Sequence, residues 1–477
     1  MIPLKVSEIA KAVGGTLLCG NPDIEITSVA CDSREVKDGT LFVPIRGEKV
    51  DAHKFIEDCL KNCSATFTEY DAPENAEKPY IKVENTLTAL QALGAYYRSR
   101  FDIKIIGVTG SVGKTSTKEM IAAALSQGSN VFKTKGNRNS QIGLPLTMLD
   151  IMPENETAVI EMGMSEFGEM ERLCAIAKPS MAVMTNIGTA HIENLGSREN
   201  IMSEKFKITG NFTKDSTLFL NGDDELLVTL YGKQDFKTVT FGFGENCDYR
   251  AENIRVVGMN TIFTLISKNE TEEIEIPTLG EHNVKNALAA FAVAKACGLS
   301  TDVIKAGLLT YKNAPMRQQI HKLEGCTLID DSYNASPDAM KVSLDVLKSI
   351  DATKRIAVLA NMLELGDYAE SEHFSVGEHL GEIGIDCVIC IGSLAENIAK
   401  GALSKNKNVT AKCFADNASA ISYLKTQIVD GCAILVKGSR SMHTEEISKA
   451  VIADKSKYLC LYAVSYTHLT LPTTERV

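Results

Sequence analysis

Apolar positions along the chain follow two rhythms, helical and strand-like, and their order divides it into three α/β stretches. Residues 6–13 carry apolar side chains at helical spacing and stop at Gly14-Gly15. Short strands are predicted at 16–19, 28–31 and 40–44, and a helix over 54–62 turns Phe55, Ile56, Cys59 and Leu60 to one side. The polar stretch after Asp71, with Pro73 and Pro79, reads as a link. From 83 to 313, strands at 104–109, 158–161, 181–187 and 216–221 alternate with helical segments. Their near-continuous apolar runs predict a mostly parallel sheet covered on both faces. Residues 237–278 change to short alternating strands, a small antiparallel excursion, and a helix over 283–297 stops at Gly298. From Met316 a third series places strands at 327–331, 356–359, 387–391 and 433–437, with a helix opening at Ser336-Pro337-Asp338. The predicted units are 1–82, 83–313 and 314–457. Residues 458–477, ending VSYTHLTLPTTERV, form an atypical tail, expected to be disordered or foreign to the fold.

Chemistry enters at residues 104–120, KIIGVTGSVGKTSTKEM. A β-branched run (Ile105, Ile106, Val108) breaks into a glycine-containing turn, then a helix-like segment from Thr117 to about Leu125. That is the strand–loop–helix setting of a phosphate-binding loop. Backbone N–H groups across Gly110, Ser111, Gly113 and Ser116 are placed to wrap a polyphosphate. Lys114 reaches the β/γ oxygens, and the Thr115 hydroxyl suits Mg²⁺. The first glycine of the common pattern would fall at 108, where Val108 stands; here it is Gly110, a tighter loop. An ordinary βα turn is the plain alternative, and the context favours ATP.

Composition narrows the partners. With 44% hydrophobic and 23% charged residues the chain is an ordinary globular protein, and its net charge of −11 leaves no basic stripe for nucleic acid. The first residues, MIPLKVSEIAKAVGG, lack a signal-peptide core, and no apolar run approaches the ~18 residues of a membrane span. Thirteen scattered cysteines fit reduced thiols better than disulfides. Cys387 and Cys390 have a metal-like spacing, but strand alternation puts their sulfurs on opposite faces.

Other candidates sit at strand ends. Glu161 closes an apolar strand beside the phosphate loop, where a carboxylate can hold Mg²⁺. His191 follows the next strand. A structural role is its plain alternative, and the convergence of Thr115, Glu161 and His191 favours a metal. Asn137 and Asn139 offer amides for phosphate or peptide, or form an Asn/Gly turn. Lys205 reads by composition as a solvated helix lysine.

Together, TGSVGKTS, GNRNSQIGLP, VIEMGMS, TNIGTAHIENLGS, NGDD at 221–224 and GEHNVKNALAA at 280–290 resemble the Mur ligases in order and spacing, over about residues 4–455. Those enzymes add amino acids to UDP-linked peptidoglycan precursors. The resemblance implies an α/β fold of three domains: a small N-terminal UDP-binding domain, a central P-loop ATPase-like domain and a C-terminal Rossmann-like domain. DDSYNASP (330–337), MLELG (362–366) and LVKGSRSM (435–442) imply addition of D-alanyl-D-alanine to UDP-N-acetylmuramoyl-tripeptide. The segment from Cys31 to Ile56, with its DSR and GEK motifs, resembles the family's UDP-recognising domain.

Roles follow by resemblance. Lys114 and Thr115 would bind phosphates and Mg²⁺, Glu161 and His191 the metal, and Lys205 would be carbamylated. Asn283 and Asn286 would lie near adenine, and Arg317 and Asp331 would meet the nucleotide across the domain cleft. Asp32, Ser33 and Arg34 would lie near the UDP-sugar. Tyr333, Asn334, Pro337, Lys437, Ser439 and Arg440 would shape the dipeptide end. Two positions depart from the family: Lys207 replaces a usual Glu, and Ala360-Asn361 a usual Gly-Asp. The expected enzyme is a monomeric, ATP-dependent ligase of the bacterial cytoplasm. A folylpolyglutamate-synthetase-like ligase and a non-catalytic regulatory homologue stay open as alternatives.

Overall fold

The computed structural model describes residues 1–47 and 50–465, with side chains to 455. Glu48 and Lys49 of the GEK motif and tail residues 466–477 lie outside the described residues. Three sheets follow one another along the chain, beside a two-stranded pair of Leu4–Lys5 with Glu25–Ile26.

The first sheet has five strands in the order Thr16–Cys19, Tyr80–Lys82, Ala65–Thr68, Thr40–Phe42, Ser28–Ala30. Tyr80–Lys82 pairs on both sides, so the segment after Asp71 is not an inter-domain link; it is a loop between two neighbours of one sheet. The helix predicted over 54–62 is divided into a 3₁₀ turn, Ala52–Phe55, and a short helix, Ile56–Leu60.

The second sheet has nine strands. Val131–Lys133, Thr157–Glu161, Lys104–Thr109, Met181–Met184, Thr217–Asn221, Lys237–Gly242 and Tyr249–Val257 run parallel, and Asn260–Ser267 and Thr271–Ile276 add the antiparallel excursion. The phosphate-loop strand is central and buried, as its β-branched residues require. The strand predicted over 181–187 stops at Met184. Thr185 and Asn186 leave it to brace the phosphate loop: Thr185 Oγ1 donates to Val112 O at 2.6 Å, and Asn186 Oδ1 accepts from Val112 N at 2.8 Å.

The third sheet is parallel apart from the edge strand Gln319–Leu323. Its order continues Cys326–Asp330, Cys432–Lys437, Arg355–Ala360, Cys387–Ile391, Thr410–Phe414. Cys387 and Cys390 enter the cores on its two opposite faces, and every cysteine whose side chain is described is free. The last helix, Glu445–Ser465, carries regular backbone into the first residues of the expected tail.

The cores are not divided as the sheets are. One buried cluster joins Leu4, Val6, Ile9 and Ile26 of the first unit to Tyr97, Leu144 and Met148 of the second. The Tyr97 hydroxyl ties both sides, accepting from Ile2 N at 2.8 Å and donating to Ile151 O at 2.9 Å.

Candidate active site

The phosphate loop ends in Gly113 at φ 84°, and the helix Lys114–Leu125 begins one residue later. It therefore starts three residues before the predicted Thr117, because a left-handed glycine supplies the N-cap turn. Gly110, at φ 148°, lies so close to Thr185 that an added Cβ would sit 1.9 Å from its hydroxyl. Lys114 Nζ curls onto its own loop, donating to Gly110 O at 2.7 Å and Ser111 O at 3.2 Å. Burial lowers its pKa to about 8, with Arg317 adding to the effect and Glu161 opposing it.

Thr115 Oγ1 donates to Glu161 Oε1 at 3.2 Å, and Asn139 Nδ2 donates to the same oxygen at 2.7 Å. Glu161 Oε2 is buried without a hydrogen-bond partner. The buried Lys118, unremarked in the sequence, lies 3.7 Å from that oxygen and donates to Thr134 O at 2.8 Å. His191 lines the same cavity as Thr115, and its Nδ1 lies 2.9 Å from Glu364 Oε2 of the third unit, an ion-pair contact outside hydrogen-bond geometry. No group of three or more His, Cys, Asp or Glu gathers at metal-holding distance among the described residues.

Lys205 is not a solvated lysine. It is 0% exposed on the helix Arg198–Phe206, and its Nζ has no hydrogen-bond partner. Burial, reinforced by the Lys114 charge, holds its pKa well below the usual lysine range. Lys207 instead lies 2.7 Å from Glu204 Oε2, so its charge is taken up by a buried carboxylate.

A chain of side chains then runs from the loop to the third sheet. Thr117 Oγ1 donates to Asn286 Oδ1 at 2.9 Å, and Asn286 Nδ2 to Asn283 Oδ1 at 3.1 Å. Asn283 Nδ2 reaches Gln318 Oε1 at 3.2 Å, and Gln318 N donates to Asp331 Oδ1 at 3.2 Å. Asp331 Oδ2 pairs with Lys437 Nζ at 2.5 Å and accepts from Ser343 Oγ at 2.6 Å. Lys437 keeps a lowered pKa, since burial outweighs Asp331. His282, also missed in the sequence, packs against Gln318 at 3.0 Å, and burial takes its pKa down to about 4.

These parts border one cavity of about 470 Å³ between the second and third units. Ser111, Gly113, Lys114, Thr115 and Ser116 line one wall; Arg317, Asp331, Asn334, Lys437, Ser439 and Arg440 line the other. Tyr333 stands beside it with the Arg317 guanidinium 4.1 Å from its ring centroid and Arg440 at 6.0 Å. Arg440 N donates to Asn334 Oδ1 at 3.3 Å, and Ser439 Oγ accepts from Leu363 N at 3.0 Å. Pro337 opens the helix Pro337–Ser349 behind them. Asn361 Oδ1 accepts from Ala395 N at 2.9 Å, a task an amide performs as well as a carboxylate. Gly110, Asn137, Asn139, Glu161, Lys205, Asn283 and Asn286 are not among the lining residues. Asn137 is exposed. Asp32, Ser33 and Arg34 form a separate turn on the first unit. There Arg34 Nη2 holds Asp32 Oδ2 at 2.5 Å and takes its pKa down to about 2.

Residues 25–98, 108–294 and 316–440 match, in turn, the Mur ligase family catalytic domain, the Mur ligase middle domain and the Mur ligase glutamate ligase domain. The chain belongs to the Mur ligase family. Within it, this Mur ligase is 40% identical over 460 residues to the UDP-N-acetylmuramoyl-tripeptide–D-alanyl-D-alanine ligase of Bacillus subtilis strain 168, covering 95% of this chain and 99% of the relative. The ligase of that name from Escherichia coli K12 is 34% identical, with 94% and 99% covered. Among solved structures, MurF from Acinetobacter baumannii superposes with a TM-score of 0.87 at 30% identity, over 94% of this chain and 99% of that one. MurF ligase from Thermotoga maritima in complex with ADP gives 0.81 at 29%, over 90% and 98%. Folylpolyglutamate synthase of Mycobacterium tuberculosis, at 0.59 and 16%, shares the fold alone.

Proposed function

We infer that this Mur ligase joins D-alanyl-D-alanine to UDP-N-acetylmuramoyl-tripeptide at the expense of ATP, in peptidoglycan precursor synthesis. What carries the reading is an inter-domain cavity, phosphate loop on one wall and Lys437 and Arg440 on the other, in a chain that matches a ligase of that name over 95% of its length. A carboxylate does not condense with an amine unaided. Transfer of the γ-phosphoryl group to the tripeptide carboxylate makes an acyl phosphate and releases ADP. The dipeptide amine then attacks the carbonyl, loses a proton, and expels phosphate. Lys114 and the loop N–H groups neutralise the phosphates, and Arg317 and Arg440 add charge from the far wall. Closing the cavity keeps water from the acyl phosphate.

Mg²⁺ fits the chain's own donors. The Thr115 hydroxyl and the unbonded Glu161 Oε2 are hard oxygen ligands, and a magnesium site needs one or two carboxylates beside substrate phosphates. Bound there, the ion would offset charge on the β/γ oxygens. Lys205 suits carbamylation: a buried, unpartnered amine of low pKa adds CO₂, loses a proton, and becomes an anion facing the Lys114 charge. We assign residues 1–82, with Asp32, Ser33 and Arg34, to the uridine end, 83–313 to ATP and 314–457 to the dipeptide. Asn283 and Asn286 sit toward the nucleotide, and Asn139 acts through Glu161. The enzyme is read as a monomer of the bacterial cytoplasm; no helix among the described residues is long and apolar enough to cross a membrane. The test is phosphate release from ATP with UDP-tripeptide and D-alanyl-D-alanine, singly and together. Release that requires both supports the reading, and equal release with neither overturns it.

A further inference from the structure

His191 and Glu364 meet across the boundary between the second and third units. His191 follows the strand Met181–Met184, and Glu364 lies in the loop after Arg355–Ala360. Both are held in the left-handed region, at φ 65° and 64°. Non-glycine residues seldom adopt it, and where they do the side chain is commonly fixed for a task. His191 Nδ1 and Glu364 Oε2 are 2.9 Å apart, and both residues line the cavity that holds Lys114 and Thr115. The contact extends beyond the pair, since a Cβ at Gly366 would stand 3.6 Å from the Cβ of Glu193. Glu364 is also braced from its own unit. Leu363 N donates to Ser439 Oγ at 3.0 Å, and Met362 N donates to His373 Nε2 at 2.8 Å.

We propose that Glu364 is a positioning residue that orients His191 toward a divalent cation on the nucleotide phosphates. This rests on the nucleotide and cation assignment made above. The contact is a charge contact rather than an aligned hydrogen bond, and a carboxylate charge beside Nδ1 favours the tautomer with its proton there, leaving the Nε2 lone pair free as a donor. An outer carboxylate of this kind restricts the ring's orientation. Here it comes from the other unit, so His191 is supported only while the third unit is docked on the second. Docking and cation binding are then linked, each favouring the other.

The Glu364 side chain is 65% exposed, so replacing it leaves the core filled. The test uses the full chain with ADP and Mn²⁺ as the probe ion, and needs neither tripeptide nor dipeptide. Paramagnetic resonance titration counts bound Mn²⁺, and its pulsed form reads the nitrogen coupling of a coordinated imidazole. The parent chain is expected to show that coupling. Glu364→Ala is expected to weaken Mn²⁺ binding about 10- to 100-fold and to reduce the coupling. Its ADP affinity in metal-free buffer stays the same. Glu364→Gln, which keeps an acceptor without the charge, falls between. Absence of the coupling in the parent overturns the proposal, as does unchanged Mn²⁺ affinity and coupling in Glu364→Ala. A metal-free ADP affinity that fell as far as the Mn²⁺ affinity would mark general loosening and overturn it too. Failure of the ligase reading would look different: no phosphate release with both substrates while the Mn²⁺ signals persist.

Discussion

Two lysines near the phosphate loop feel one another's charge, and among the described residues neither is ion-paired to a carboxylate. Lys114 is held by the carbonyls of its own loop, and the buried Lys205 has no partner. Lys114→Ala should lower the ligation rate on the order of 10²–10³-fold, the scale for losing one charged contact to a developing negative charge. The protein should unfold at an unchanged temperature, which a thermal melt checks; near-normal turnover would remove the loop assignment. Lys205→Ala should be slow and recover in part when acetate is added, because a small carboxylate can stand where the carbamate would. Steady-state rates with and without acetate decide this. Full activity without acetate would return Lys205 to a packing role. The sequence could not show the burial of Lys205. Its helix reads SRENIMSEKF, polar nearly throughout, and only the fold turns Ile201, Glu204 and Lys205 inward together.

Among the elements, the strand–loop–helix unit was legible because all its determinants are local: β-branched residues, two glycines, then Lys114-Thr115. Its supports were not. Thr185 and Asn186 reach the loop from a neighbouring strand, and nothing in TNIGTAH says that the strand ends early to serve them. His282 and Glu364 lay inside quoted motifs, GEHN and MLELG, yet their partners Gln318 and His191 lie 36 and 173 positions away, across unit boundaries. Gly110→Ala tests the bracing. The new Cβ would overlap the Thr185 hydroxyl in a backbone region that alanine avoids. It should cost about 1–3 kcal/mol of stability and weaken nucleotide binding. Chemical denaturation and calorimetric ADP titration measure the two. Unchanged values in both would mean that the loop does not depend on this contact.

For the molecule as a whole, three α/β units were readable from the order of strands and helices, while the way they share cores was not. The apolar face of the helix Thr86–Arg98 has no mark in sequence for the unit it packs against. In the fold, Leu90, Leu93 and Tyr97 belong to the cluster that also holds Leu4, Val6 and Ile9. A chain beginning at residue 83 would therefore expose that cluster. It should aggregate or melt well below the full protein, as light scattering and a thermal melt would show. A soluble, cooperatively melting fragment would mean the shared core is dispensable.

That shared core has a mechanical reading. Of the third sheet's two cores, one takes in only Leu279 and a packed Met259 from the second unit, whereas a single large cluster spans the first two units. On the assignment proposed above, the shared core sets the distance from the uridine end to the phosphate loop when the chain folds. A compound that spans those two units should find its surface already formed, and one that also reaches the third unit must bridge the cavity.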